Sequence, residues 1–165
     1  MTRAGASTWK PVALALAAAI LASTLGALAT DLGPWYYGLR KPPWQPPDWL
    51  FGPVWTTIYA LGALAAVIGW RRAPDRAQAR RLALLFGVNL LLNVAWSVLF
   101  FRLQRPDLAL YEVTLLWASI ATLMVILWPY ARLASLLLLP YLAWVSFAAV
   151  LNLAIVRLNA PFPGL

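Results

Sequence analysis

The sequence predicts an all-α membrane protein: a five-transmembrane-helix bundle with a Pro/Trp-rich loop between helices 1 and 2. Three observations carry this. Hydrophobic residues make up 63% of the chain and charged residues 11%, so a soluble fold would lack polar cover for its surface. Apolar runs recur at close to the roughly 20 residues that a helix needs to cross a bilayer. The net charge of +8 comes from basic residues at the ends of those runs and not from a basic domain of their own. That is the pattern of topology control, not of a nucleic-acid partner. A chain of 165 residues makes a single domain, 1–165.

The helices are expected at roughly 11–30, 49–70, 82–101, 108–128 and 133–158. Arg3 and Lys10 precede the first. Ala27-Leu28-Ala29 looks like a signal cleavage site, but the run is long for a signal core, so a retained helix is expected. Ala15, Ala19, Ser23 and Ala27 recur every four residues and offer a smooth face for close packing. The stretch from Trp35 to Tyr59 follows. It holds Trp35, Trp44, Trp49 and Trp55 together with Pro42, Pro43, Pro46, Pro47 and Pro53. Prolyl rings fix φ and remove donors, so Lys41 to Asp48 cannot be regular helix. A rigid aromatic loop that caps the bundle and runs into the second helix is the reading. Pro53 falls in that helix's first turn, where a missing N–H costs little.

Trp55, Tyr59, Gly62 and Ala66 share one face of the second helix. A basic turn from Arg71 to Arg76, followed by Arg80-Arg81, leads to the third. There Asn89, Asn93, Trp96 and Phe100 share a face, while Ala83 and Gly87 offer a small-residue flank on which two copies could pair as a homodimer. The turn from Arg102 to Asp107 opens the fourth helix, where Trp117, Ala121, Met124 and Trp128 align. Pro129 stops it. The fifth holds Pro140, Tyr141, Trp144, Ala148 and Asn152, and Pro140 is expected to bend it. An odd number of spans puts the termini on opposite sides. Arg3, Lys10, Arg71, Arg72, Arg76, Arg80, Arg81 and Arg132 fall on one side, against Arg40, Lys41, Arg102, Arg105 and Arg157 on the other. This bias places the N-terminus inside and both the loop and the C-terminus outside.

The inventory excludes much chemistry. The chain has no cysteine and no histidine, which removes thiolate sites, histidine-ligated haem, a histidine-containing zinc site and a Ser-His-Asp triad. No metal site is expected. Asn89 and Asn93 stand out because an amide in hydrocarbon costs a few kcal/mol unless it is hydrogen-bonded. Two on one face mean an interior polar stripe, serving either as glue between helices or as a ligand surface. Trp35, Trp44, Trp49, Trp70 and Trp128 sit at predicted helix ends, as interfacial anchors do. Trp55, Trp96, Trp117 and Trp144 lie deeper, where an indole N–H needs a partner in protein or ligand.

Trp35, Tyr36, Leu39, Lys41, Pro42, Trp44, Pro46, Pro47 and Trp49, then Gly52-Pro53-Val54-Trp55 and Tyr59, resemble the TspO/translocator protein family, also called tryptophan-rich sensory protein or peripheral-type benzodiazepine receptor. Leu92-Asn93-Val94-Ala95-Trp96 with Phe100-Phe101 resembles the family's third helix. Pro140-Tyr141-Leu142-Ala143-Trp144 with Phe147 resembles its P-Y-L-x-W block, so the likeness runs over 35–159. It implies a cavity between the helices, closed by the loop. That cavity would bind tetrapyrroles (porphyrin or haem) and similar flat aromatic ligands, with a sensory, regulatory or transport consequence.

On that resemblance the ligand-binding residues are Tyr36, Trp55, Asn89, Asn93, Trp96 and Trp144, with Trp55 and Trp144 flanking the guest. Arg40 and Lys41 stand at the mouth as candidate propionate contacts, since a guanidinium can grip a carboxylate with two bonds. No cofactor is required. Only Met1, Met124 or a tyrosine could reach an iron axially, so stacking without a strong axial ligand is expected. Two alternatives stay open: light-dependent porphyrin breakdown assisted by Trp55 and Trp144, and a small exporter of hydrophobic compounds using Glu112. Glu112 lies near the start of its helix, where it is expected to reach water or favour the helix N-terminus. The family's mammalian members carry a proposed cholesterol motif with a central tyrosine. Here Val150 to Arg157 has Leu153 at that place, which argues against specific sterol binding.

Overall fold

The structure, a computed structural model, describes residues 9–162, with Lys10 and Pro11 by backbone alone. Met1 and Arg3 lie outside the described residues. Seven α-helices follow among them: α1 (Trp9–Ala29), α2 (Pro34–Gly38), α3 (Phe51–Arg72), α4 (Arg76–Ser97), α5 (Pro106–Leu127), α6 (Arg132–Leu137) and α7 (Leu139–Asn159). Among the described residues, five spans are long and apolar enough to cross a membrane: Val12–Ala29, Asp48–Arg72, Arg76–Arg102, Pro106–Leu127 and Arg132–Asn159. The protein is an all-α, multi-pass integral membrane protein.

Several boundaries differ from expectation, each for a local reason. The third span begins at Arg76, not at 82, so Arg80 and Arg81 are helical and not part of the turn. Asp75 caps it: its carboxylate accepts the Gln78 backbone N–H at 2.7 Å. Arginine and glutamine are good helix formers, so nothing beyond the cap stops the helix from starting there. At its other end α4 widens into a π-turn over Val98–Arg102, with the Leu103 N–H donating to the Val98 carbonyl at 2.9 Å. The Arg102 guanidinium donates to the Leu28 carbonyl and ties this turn to the end of α1.

The bend expected at Pro140 is a break two residues earlier. The α6 helix ends at Leu137, Leu138 is its cap, and Pro140 sits in the first turn of α7, where its missing N–H leaves no gap in the ladder. The first helix also turns differently from its alanine pattern. Ala22, Gly26 and Ala29 face inward, whereas Ala27 is exposed. A Cβ on Gly26 would come 3.8 Å from the Tyr59 hydroxyl and 3.9 Å from Ser97 Oγ, so α1 approaches both α3 and α4 there.

The helices form a ring. The α1 helix packs on α3 and α4, α4 on α5, and α5 on α7, while α6 closes the ring against α3. Only a brief contact joins α3 to α7. The apolar core runs through Ile58, Ala65, Leu82, Leu116, Ile120, Leu127 and Val145, all buried. Ala83 and Gly87 face outward.

At Gly69, buried on α3, an added Cβ would stand 2.6 Å from Leu127 Cδ2 and 2.7 Å from Leu82 Cδ2. Both leucines are fully buried, so any shift of their ends presses on the close-packed side chains around them. At Gly62 a Cβ would meet nothing. Gly69→Ala should therefore destabilise the bundle by about 1–3 kcal/mol through overpacking, whereas Gly62→Ala should gain up to about 1 kcal/mol of helix propensity. Thermal denaturation of the two variants in detergent checks the opposite signs.

Candidate functional site

Amides, phenols and indoles meet in the middle of the ring. Asn89 and Asn93, one turn apart on α4, are buried at 2% and 4% exposure. The Tyr59 hydroxyl on α3 donates to Asn93 Oδ1 at 2.5 Å, and Asn93 Nδ2 donates to the Tyr141 hydroxyl on α7 at 3.0 Å. Asn93 thus joins three spans. Asn89 Nδ2 donates to Ser119 Oγ on α5 at 2.8 Å, and that hydroxyl passes its own proton to the Leu116 carbonyl at 2.7 Å. Toward the loop end, Trp96 Nε1 donates to Asn152 Oδ1 at 3.2 Å, and Asn152 Nδ2 donates to the Pro106 carbonyl at 2.8 Å. A polar seam therefore climbs the bundle, each amide paired across a helix boundary.

The indoles divide around this seam. Trp55 lies beside Tyr59, with ring centroids 5.7 Å apart, and edge-on to Tyr141 at 6.1 Å. It belongs to the Asn93 cluster. Trp96 stacks on Phe100 at 5.0 Å. Trp144 meets Phe51 at 5.5 Å and Phe147 at 5.4 Å. It stands on the outer side of the same layer, in a groove of about 430 Å³ between α3 and α7 lined by Pro53, Val54, Thr57, Ile58, Pro140, Ala143, Trp144 and Phe147. The groove exists because the break at Leu138 lets α6 pack on α3 while α7 stands off from it. Of the six expected ligand-binding residues Trp144 lines it, whereas Tyr36, Trp55, Asn89, Asn93 and Trp96 do not.

Tyr36 is buried in α2, within the cap over the bundle. Its hydroxyl donates to Asp48 Oδ1 at 2.7 Å and accepts from Gln45 Nε2 at 3.1 Å. The Lys41 ammonium lies 3.6 Å from the centroid of its ring. Arg40 is held by its backbone: its N–H donates to Asn159 Oδ1 at 2.8 Å, and its carbonyl accepts from Asn159 Nδ2 at 2.9 Å. The cap is thus pinned to the end of α7. Trp44 meets Phe147 at 5.9 Å and links cap to groove.

The site residues divide by place. Trp55 and Asn93 come together, Asn89 lies one turn away, Trp144 faces the groove, and Trp96 and Tyr36 belong to the loop end. Tyr59, Ser119, Tyr141 and Asn152 complete the seam, although none was singled out as a site residue. Their signal was present, because Tyr141, Ala148 and Asn152 share a face of α7 as Asn89 and Asn93 do on α4. Trp117 is more exposed than its mid-helix position implies, at 41%, yet its N–H still reaches Ser146 Oγ at 2.9 Å. Met124 lies toward α6, where its carbonyl accepts from Ser135. Glu112 does not reach water as expected. It is buried at 8% exposure, and neither carboxyl oxygen has a hydrogen-bond partner.

The fold and its seam define a class: a polytopic five-helix membrane protein with an aromatic and amide interior under an aromatic cap. The chain belongs to the TspO/MBR family, whose profile matches residues 12–158. It is 45% identical over 130 residues to the tryptophan-rich protein TspO of Chlorobaculum tepidum, covering 76% of this chain and 80% of that protein. It is 37% identical over 147 residues to the tryptophan-rich sensory protein of Cereibacter sphaeroides, covering 87% and 88%. Identity to the translocator protein of Homo sapiens is 35% over 131 residues, covering 79% and 78%.

Burial, and then the Asp48 carboxylate that accepts its proton, hold the Tyr36 phenol above its ordinary value of 10.0. The docked cap therefore binds this proton more tightly than a free cap would. Its contribution is complete below about pH 10 and is lost as pH rises through the elevated value. An alkaline absorbance titration of Tyr36→Phe should show one late-ionising phenol fewer than that of the wild type. A titration identical in the two proteins would refute this account of the cap.

Proposed function

We propose that the protein is a membrane receptor that captures a tetrapyrrole, such as porphyrin or haem, or a similar flat aromatic molecule, between its helices, with a regulatory or transport consequence. The single observation that carries the reading is the groove between α3 and α7, with Trp144 and Phe147 in its wall and the Trp55, Tyr59, Asn93 and Tyr141 cluster directly behind it. Its volume of about 430 Å³ falls within the range of small-molecule sites. A planar apolar guest stacks on indole and phenyl faces and needs few polar partners. The Asn93 amide and its two phenols satisfy one another and make no polar demand on such a guest. Arg40 and Lys41 stand at the loop end, where propionates would be gripped. Binding rests on stacking and needs no axial ligand to iron. The charge bias of the turns supports an N-terminus inside, with loop and C-terminus outside.

A second reading, a small exporter, draws on Glu112. An intramembrane carboxyl group with no partner is a common feature of coupled transport. Loss of proteoliposome flux specific to Glu112→Gln would favour it over simple capture.

Trp55→Leu and Trp144→Leu should each weaken porphyrin binding, read by fluorescence quenching, by up to about tenfold, while insertion into the membrane is preserved. Unchanged titration curves in both variants would remove the groove from the proposal. The same titration in darkness and under illumination separates capture from light-driven breakdown, because only breakdown bleaches the porphyrin absorbance.

A further inference from the structure

A second groove, of about 440 Å³, lies between the cap and the last turns of α7. We infer that it binds an anionic glycerophospholipid, with the phosphate between Lys41 and Arg157 and an acyl chain along Val150 and Leu153. Three features carry this. First, the groove is apolar along α7 and basic at one end, since Lys41 and Arg157 line it together with Trp44, Val150 and Leu153. The complement of such a surface is an anion joined to a hydrocarbon tail. Second, neither cation pairs with an acid among the described residues. A zwitterionic headgroup would bring an ammonium with no counter-charge to meet it, so net negative lipids are preferred. Third, the Lys41 ammonium is held in place, and the turn of α7 that carries Arg157 is tied to the cap. The Tyr36 ring carries the Lys41 ammonium on its face and leaves its protons free to donate. Asn159 bonds both the N–H and the carbonyl of Arg40, next to Lys41, from a position two residues beyond Arg157. The cap's own latch thereby keeps the Lys41 backbone beside the turn of α7 that bears Arg157.

The location suits the occupant. The groove sits at the end of the fifth span and beside the cap, which is where a headgroup meets the protein, and basic pockets at that level select acidic lipids. The residues concerned lie outside the α3–α7 groove, and of them only Lys41 is shared with the proposed tetrapyrrole capture, so the inference does not depend on that reading.

The test is native mass spectrometry of the full-length protein in phosphatidylcholine micelles titrated with phosphatidylglycerol. Wild type should retain one phosphatidylglycerol in preference to phosphatidylcholine. The K41Q/R157Q pair should weaken retention on the order of tenfold, whereas R80Q/R81Q, at the other end of the bundle, should not. Leu153→Trp should displace the lipid by filling the groove with no change of charge. Equal retention of both lipids, or equal loss in R80Q/R81Q, would overturn the site. So would one-for-one displacement of the lipid by a porphyrin dicarboxylate, which would assign the cations to the tetrapyrrole. Porphyrin quenching that persists in R157Q alone, while phosphatidylglycerol retention falls, keeps the two proposals separate.

Discussion

Hydrocarbon leaves no water to satisfy a buried polar group, so each must find its partner within the bundle. An unpaired amide costs a few kcal/mol, whereas an interhelical bond returns commonly about 0.6 to 2 kcal/mol. The asymmetry makes pairing a constraint on arrangement more than a source of stability. Asn93 satisfies it by holding Tyr59 and Tyr141 at once, and so fixes how α3, α4 and α7 are rotated about their axes. Asn89 with Ser119 fixes α5 against α4. Asn152 holds the Trp96 indole and the carbonyl of Pro106, the residue that opens α5. Rotating one helix of this set by a single position would orphan at least one amide.

That rigidity explains how an open groove persists beside the seam. Pro140 forces the fifth span to break, and α6 takes the contact with α3 that a straight helix would have made along its whole length. The seam keeps α7 from collapsing onto α3, because Tyr141 is already committed to Asn93. Phe51, Trp144 and Phe147 then line the separation with rings. The cap is built on the same principle with water near at hand. Asp48, Gln45 and Tyr36 satisfy one another, and Asn159 fastens the strand at Arg40 to the end of α7.

Much of this was legible in residue order. Twenty-residue apolar runs and prolines are local signals, and they gave the number of spans and the irregular cap. The 4-3-4 spacing of Asn89, Asn93, Trp96 and Phe100 gave the polar face of α4, because period and burial are tied in any helix. What a single sequence could not supply was which residue on another helix answers each amide. The bond from Asn93 to Tyr141 spans 48 positions, and that from Trp96 to Asn152 spans 56. The helical state of Arg80 and Arg81 was hidden because charge was read as a turn signal, although the Asp75 cap outweighs it. The depth of Glu112 was hidden because position along a helix says nothing of its rotation.

The seam also constrains what the groove can select. Its amides and phenols are mutually satisfied, so a guest that demanded hydrogen bonds from them would first have to break a pair and then replace both partners. A guest that offers mainly flat apolar surface makes no such demand and gains from each ring it covers. Under the proposed capture, a preference for planar aromatic molecules would follow from a polar interior that is complete without them, and the aromatic wall need not be read as a sign of any one ligand. An exception is the carboxyl group of Glu112, buried with both oxygens unanswered. A hydrogen-bond donor that reached it would meet a group the bundle leaves unpaired, which is why the exporter reading turns on this side chain and not on the indoles.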